Sequence, residues 1–176
     1  MLVFGFGSLI NSNSLKSSAP SAFNLKTCFI KGYKRDFSVH ASLGFTDTNL
    51  EISGIPFCAL GIKKTNKNID MVNGIVFNLN KSDLEKLKHR ELEYRLEITT
   101  AYDFYNPEDP IGEVYVFMAN NNSGIFDINS KVQKKYLDIC LSGAKEYGEN
   151  FYDTFINTTY VNKEKLSEFI KKNNYS

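Results

Sequence analysis

The first ten residues, Met1–Ile10 (MLVFGFGSLI), decide how the rest of the chain is read. Leu2 to Phe6 is an uncharged run of aliphatic and aromatic residues, the character of a buried strand, and Gly7-Ser8 ends it. The run is too short to span a membrane, and it lacks the basic flank and small-residue cleavage site of a secretory signal. Two glycines invite comparison with a nucleotide-binding turn. That reading fails, because the GxGxxG fingerprint needs glycine where Ile10 stands and an acidic residue about 20 positions further on. A P-loop fails as well, since no Gly-Lys-Ser/Thr follows. Two readings of the turn remain. Its backbone N–H groups converge on an anion such as a carboxylate, or glycine simply permits a tight reversal at positive φ.

Working outward, the chain has 176 residues, enough for one well-packed domain spanning 1–176 and thin for two. Apolar residues make up 42% and charged residues 23%, the balance of an ordinary soluble globular protein. A net charge of +1 supplies no field that would draw the chain to nucleic acid or to an anionic membrane. The lysines form no stripe interleaved with aromatics, which argues against nucleic acid a second time. Cys28, Cys58 and Cys140 lie far apart with no CxxC pair, so reduced, buried thiols in a cytoplasmic protein are expected. With only His40 and His89, neither in a ligand spacing, no metal site is expected.

Apolar alternation predicts further strands. In FIKGYKRDFSVHAS (29–42), Phe29, Tyr33, Phe37 and Val39 interleave with Lys31, Arg35 and Ser38. Arg35 is read as a solvated strand arginine, with a place at the mouth of a site as the alternative. Strands are also predicted at 57–63, 71–78, 95–104 and 112–119, the last two joined by a turn at Asn106-Pro107 and Asp109-Pro110. The Asn/Ser-rich stretch 11–21 has no apolar period and reads as loop or an irregular helical turn, and Asn120 to Asn122 reads as an exposed loop. Three helices are predicted. One begins with Ser82 as N-cap and Glu85 completing a capping box. A second follows Ser130, and a third starts after Asn162, with Leu166, Phe169 and Ile170 on one face. Strands outnumber helices without regular crossovers, which argues for an α+β domain, a barrel with helices packed on it.

One acid stands out in LEKLKHRELEY (84–94). Leu84 and Leu87 define the apolar face, and a helix continued to Glu91 would bring that carboxylate over Leu84, while Glu85 and Glu93 point elsewhere. A carboxyl group in apolar surroundings has a raised pKa and can exchange protons near neutrality. The alternative is a helix-end glutamate paired with Arg90 or Arg95. His89 projects away from Glu91 and reads as a surface residue.

These stretches together resemble the γ-glutamylcyclotransferase family. VFGFGSLI (3–10) resembles its VFGYGSL signature, and the likeness continues in order through GYKRDFS (32–38) and CALGIKK (58–64). VNGIVFNLNKSDLEKLKHRELEY (72–94) is similar to the family's V-x-G-x-V-F-x-L…L-D-x-R-E-x-x-Y segment, and KKYLDICLSGAKEYG (134–148) resembles a late helix of the ChaC-like branch. The resemblance implies a small mixed β-barrel flanked by helices. It implies cofactor-free cleavage of a γ-glutamyl amide, glutathione or a γ-glutamyl amino acid, to 5-oxoproline and an amine. It places the γ-glutamyl group against Phe4, Gly5, Phe6, Gly7, Ser8 and Leu9, and makes Glu91 the acid/base. Tyr94, Tyr102 and Tyr115 are candidates for the wall beside the leaving group, with core packing as the alternative. Two positions depart from the pattern: Phe6 stands where the family has tyrosine, and Lys88 where it has aspartate. Neither removes a group the reaction requires. A non-catalytic module that binds a small carboxylate or γ-glutamyl ligand is the rival reading. A weaker one is an interaction domain using the Asn-rich loop and the last helix. Monomer and homodimer both stay open.

Overall fold

The computed structural model describes residues 1–41, 55–90, 94–120 and 122–175. The opening run is a strand, β1 (Leu2–Gly5), followed by a 3-10 turn at Ser8–Ile10 and a short helix α1 (Ser12–Ser18). Then come β2 (Phe23–Lys31), β3 (Tyr33–Ala41), β4 (Phe57–Lys64), β5 (Met71–Asn78), α2 (Lys81–Arg90), β6 (Tyr94–Asp103) and β7 (Pro110–Ala119). The C-terminal part carries α3 (Lys131–Lys145), α4 (Glu149–Thr158), β8 (Thr159–Val161), β9 (Glu164–Lys165) and α5 (Leu166–Lys172).

Five strands close a barrel in the order β1-β5-β2-β6-β7. β1 runs antiparallel to β5 and parallel to β7, so the barrel is mixed. The remaining strands form a second sheet, β4-β3-β8-β9. The chain crosses from barrel to sheet at Gly32, whose φ of 81° is open to glycine at no steric cost. The architecture is therefore α+β, a mixed barrel flanked by helices. Among the described residues, no helix is long and apolar enough to cross a membrane.

The core runs continuously between barrel and sheet, from Phe4 and Phe77 to Val39 and Leu60. Helix α3 closes over the turn after β1 because Gly143 allows it. A Cβ there would lie 2.5 Å from the Asn11 backbone nitrogen, so any larger residue would push the helix off the turn.

Several elements differ from expectation. The stretch after the turn is helical, because the Asn11 side chain caps α1 by accepting from the Ser14 N–H and Leu15 is buried beneath it. The cap of helix α2 lies two residues before the predicted one: the Asp83 N–H donates to Asn80 Oδ1, leaving Ser82 inside the helix. Glu85 accepts from Lys88 Nζ. Helix α4 was not expected, although Phe151 and Phe155, four residues apart, are both fully buried. The last helix starts at Leu166 rather than just after Asn162. Asn162 and Lys163, at φ of 50° and 72°, turn a short hairpin between β8 and β9 first.

Candidate functional site

β1 lies between β5 and β7, and that pairing fixes where the glycine turn emerges. Past Gly5 the chain tightens into the 3-10 turn, closed by the Ile10 N–H on the Gly7 carbonyl (3.0 Å) and the Asn11 N–H on the Ser8 carbonyl (3.1 Å). Asn11 then ties the turn to α3, donating through Nδ2 to Ser142 Oγ and Glu146 Oε1. Gly7 is needed for closeness: a Cβ there would sit 3.1 Å from Tyr136 Oη and 3.6 Å from Leu60 Cβ.

The facing wall is built on an edge strand. β4 is the outer strand of its sheet, so its outward backbone groups need partners from elsewhere. Side chains supply them. Gln133 accepts from the Cys58 N–H and donates to the Cys58 carbonyl, acting as one residue of a missing strand. Two positions on, the Leu60 N–H donates to Tyr136 Oη (3.2 Å) and Tyr94 Oη donates to the Leu60 carbonyl (2.8 Å). The two tyrosines are thus fixed at their hydroxyl ends and present their rings.

Between turn and wall lies a small cavity, partly open to solvent. Phe4, Gly5, Phe6, Gly7, Ser8 and Leu9 form one side, and Leu60, Tyr94, Phe117 and Tyr136 the other. Every residue predicted for the turn lies here together with Tyr94. Tyr102 and Tyr115 do not, and the Tyr102 ring sits under Lys31 Nζ instead. Glu91 lies outside the described residues, as do Glu93 and the side chains of His89 and Arg90. Leu60, Phe117 and Tyr136 were missed. They come from two distant strands and a helix face, and only the closure of the fold brings them together.

The described lining carries no charged side chain. Behind the turn, however, Arg35 is wholly buried, which overturns its reading as a solvated residue. Its side chain alternates in phase with Tyr33, Phe37 and Val39, so the period of two did point inward. Burial lowers the guanidinium to about 9, still well above neutrality. Burial also pushes the Cys58 and Cys140 thiols up to about 12 and Cys28 higher still, so none is a ready thiolate nucleophile. Among the described residues, no three His, Cys, Asp or Glu side chains gather as a metal site.

No protein-family model and no curated protein matches the sequence. Solved structures do. A gamma-glutamyl cyclotransferase superposes with a TM-score of 0.66 at 20% identity, over 98% of each chain. An uncharacterized protein from Homo sapiens gives 0.64 at 21%, over 97% of each chain. A yeast gamma-glutamyl cyclotransferase specific to glutathione gives 0.55 at 13%, over 98% of this chain and 84% of the other. At such identities the likeness is one of backbone architecture, and the chain has the gamma-glutamyl cyclotransferase fold.

Proposed function

We infer that this chain is a γ-glutamylcyclotransferase, converting a γ-glutamyl amide to 5-oxoproline and a free amine. One observation carries the reading: in this fold, the glycine turn after β1 lines a small cavity faced by Tyr94 and Tyr136. Convergent backbone N–H groups suit a carboxylate, so the turn from Gly5 to Leu9 receives the substrate's α-carboxylate. Glu91 is the acid/base. It takes a proton from the α-ammonium, the freed amine attacks the γ-carbonyl carbon, and the new C–N bond closes the ring. The amide C–N bond breaks as Glu91 passes that proton to the departing nitrogen. The second proton shed by the ring nitrogen follows by the same carboxylate, so that the amine leaves as an ammonium and Glu91 is regenerated. Nucleophile and electrophile belong to one molecule, so holding it folded supplies much of the rate, as effective molarities on the order of 10⁵ M show for well-oriented intramolecular reactions. Glutathione and γ-glutamyl amino acids are the candidate substrates.

A second reading, a binding module for the same ligands, draws on the lack of a charged side chain in the described lining. One assay separates the two. Wild type and Glu91→Gln are compared for 5-oxoproline release from glutathione and a panel of γ-glutamyl amino acids. Loss of about 10²-fold or more in a folded Glu91→Gln protein is expected. Equal turnover in both removes Glu91 from the chemistry. Tight γ-glutamyl binding without product, in wild type, selects the module.

A further inference from the structure

Arg35 is the group that the reaction above does not use. Its guanidinium makes six hydrogen bonds, all to neutral oxygens. Nε donates to Thr159 Oγ1 at 2.7 Å. Nη1 donates to the carbonyls of Phe6 (3.1 Å) and Asn73 (2.7 Å). Nη2 donates to Asn73 Oδ1, the Phe155 carbonyl and Thr158 Oγ1. The Phe155 ring lies 3.9 Å from its central carbon. Among the described residues no carboxylate pairs with it. A cation buried without a counter-ion is costly to desolvate, so the charge itself calls for an explanation.

Five of the six bonds stitch β3 to β5, α4 and β8. The sixth reaches the turn. Phe6 and Gly7 share one peptide plane, and in a trans peptide the carbonyl and the N–H point in opposite directions. With the Phe6 carbonyl held inward by Arg35, the Gly7 N–H points the other way. That N–H makes no hydrogen bond among the described residues, and Gly7 lines the cavity.

We propose that Arg35 is a positioning residue: by holding the Phe6 carbonyl inward it aims the Gly7 N–H at the substrate's carboxylate, and it sets behind the turn a positive charge that no described carboxylate pairs. The proposal rests on the cyclotransferase reading. It gives Arg35 an effect on carboxylate binding that is separable from its effect on folding. Arg35→Lys keeps a cation and an apolar stem, but one ammonium cannot reach the Phe6, Asn73 and Phe155 acceptors together. Thr159→Val removes a different bond of the same arginine and leaves the Phe6 contact in place.

For the γ-glutamyl substrate identified by 5-oxoproline release, Arg35→Lys should raise KM about tenfold or more with kcat little changed, the mark of lost uniform binding. Thr159→Val should leave KM within about twofold of wild type. Equal KM shifts in the two variants, or none in either, overturn the proposal. Should Arg35→Lys fail to fold, the wild type answers alone through backbone amide NMR with 5-oxoproline as probe. The Gly7 amide should shift and exchange more slowly with solvent on binding. A Gly7 amide that stays still while Leu60 and Tyr94 respond overturns the proposal and leaves the cyclotransferase reading intact. If no cavity resonance responds and no substrate is cyclised, both fall together.

Discussion

The closed barrel and the four-stranded sheet are joined by one core but held by different forces. The barrel strands pack aliphatic and aromatic side chains such as Val3, Ile30, Ile75, Phe77 and Val116, all of them essentially without exposure. Four of the six described buried polar residues gather at the sheet. Arg35 and Thr159 lie on its strands, Asn73 reaches it from β5 to bond Arg35, and Gln133 reaches it from α3 to bond Cys58. A closed barrel has no edge to satisfy and can be built from apolar residues alone. An open sheet leaves backbone groups on β4 unpaired, and side chains from neighbouring elements must complete them. The cavity lies on the seam, with β1 supplying the turn from the barrel side and Leu60 the wall from the sheet side.

The comparison predicts unequal costs for breaking each side. Phe77→Ala removes a fully buried ring in the barrel, where close packing limits collapse, and should cost about 3–5 kcal/mol. Thr159→Val keeps the shape and removes the hydroxyl's bonds with Arg35 and with the Phe155 carbonyl, and should cost about 1.5–3 kcal/mol. Urea denaturation midpoints at unchanged m-value measure both. A Thr159→Val cost exceeding that of Phe77→Ala would mean that the polar seam, not the apolar barrel, dominates stability.

Strands of both regions are visible before folding: β1, β5, β6 and β7 of the barrel and β3 and β4 of the sheet lie close to where the pattern predicts them, whereas β2 begins six residues before the predicted alternation at Phe29. The turn from Phe4 to Leu9 is legible as well, being one continuous stretch. Leu60 and Tyr136 are not, because nothing local tells a wall residue from a core residue. Arg35 shows a different failure. Its alternation with Tyr33 and Phe37 is correct for an inward position, yet a lone charge weighs toward solvent when its six acceptors come from Phe6, Asn73, Phe155, Thr158 and Thr159. Helix α4 has only Phe151 and Phe155 fully buried along ten residues rich in Asn and Thr, too sparse an apolar stripe to stand out in sequence.

At the rim of the barrel, Asp83 gives a pH test. It sits in the first turn of α2 and accepts from Lys86 Nζ and the Ser21 N–H, both at 2.9 Å. The Lys86 ammonium first, and then Ser21, hold its carboxyl at about 2 against an ordinary 3.8. A pKa depressed in the folded state stabilises fully above the unfolded value. That contribution is lost as pH falls from about 4 toward 2. Glu97 and Asp103 are also held low, beside Lys64 and Lys26, so the acid limb of the wild type has several sources. Subtracting Asp83→Asn isolates one of them. The stability gap between the two proteins should be largest near neutrality and shrink as pH drops through that window. A gap that stays constant down to about pH 2 would mean that the Asp83 contacts stabilise through geometry, not charge.

The smallest effect expected is at Lys88, the position where the family resemblance has aspartate. Lys88 Nζ lies 2.8 Å from Glu85 Oε1, one turn back on α2, with the two side chains 41% and 52% exposed. A pair this wet is worth a few tenths of a kcal/mol, so Lys88→Ala should shift stability by less than about 0.5 kcal/mol. Its bearing on function follows from the same geometry. The charge reversal relative to the family pattern is answered by Glu85 at the surface, and water screens what is left. Lys88→Ala should therefore leave kcat/KM for 5-oxoproline release unchanged within about twofold. A rise of about tenfold or more would mean that the lysine's field reaches the acid/base and depresses its proton affinity. In that case the departure from the family pattern at Lys88 tunes turnover, and the surface of α2 belongs to the site.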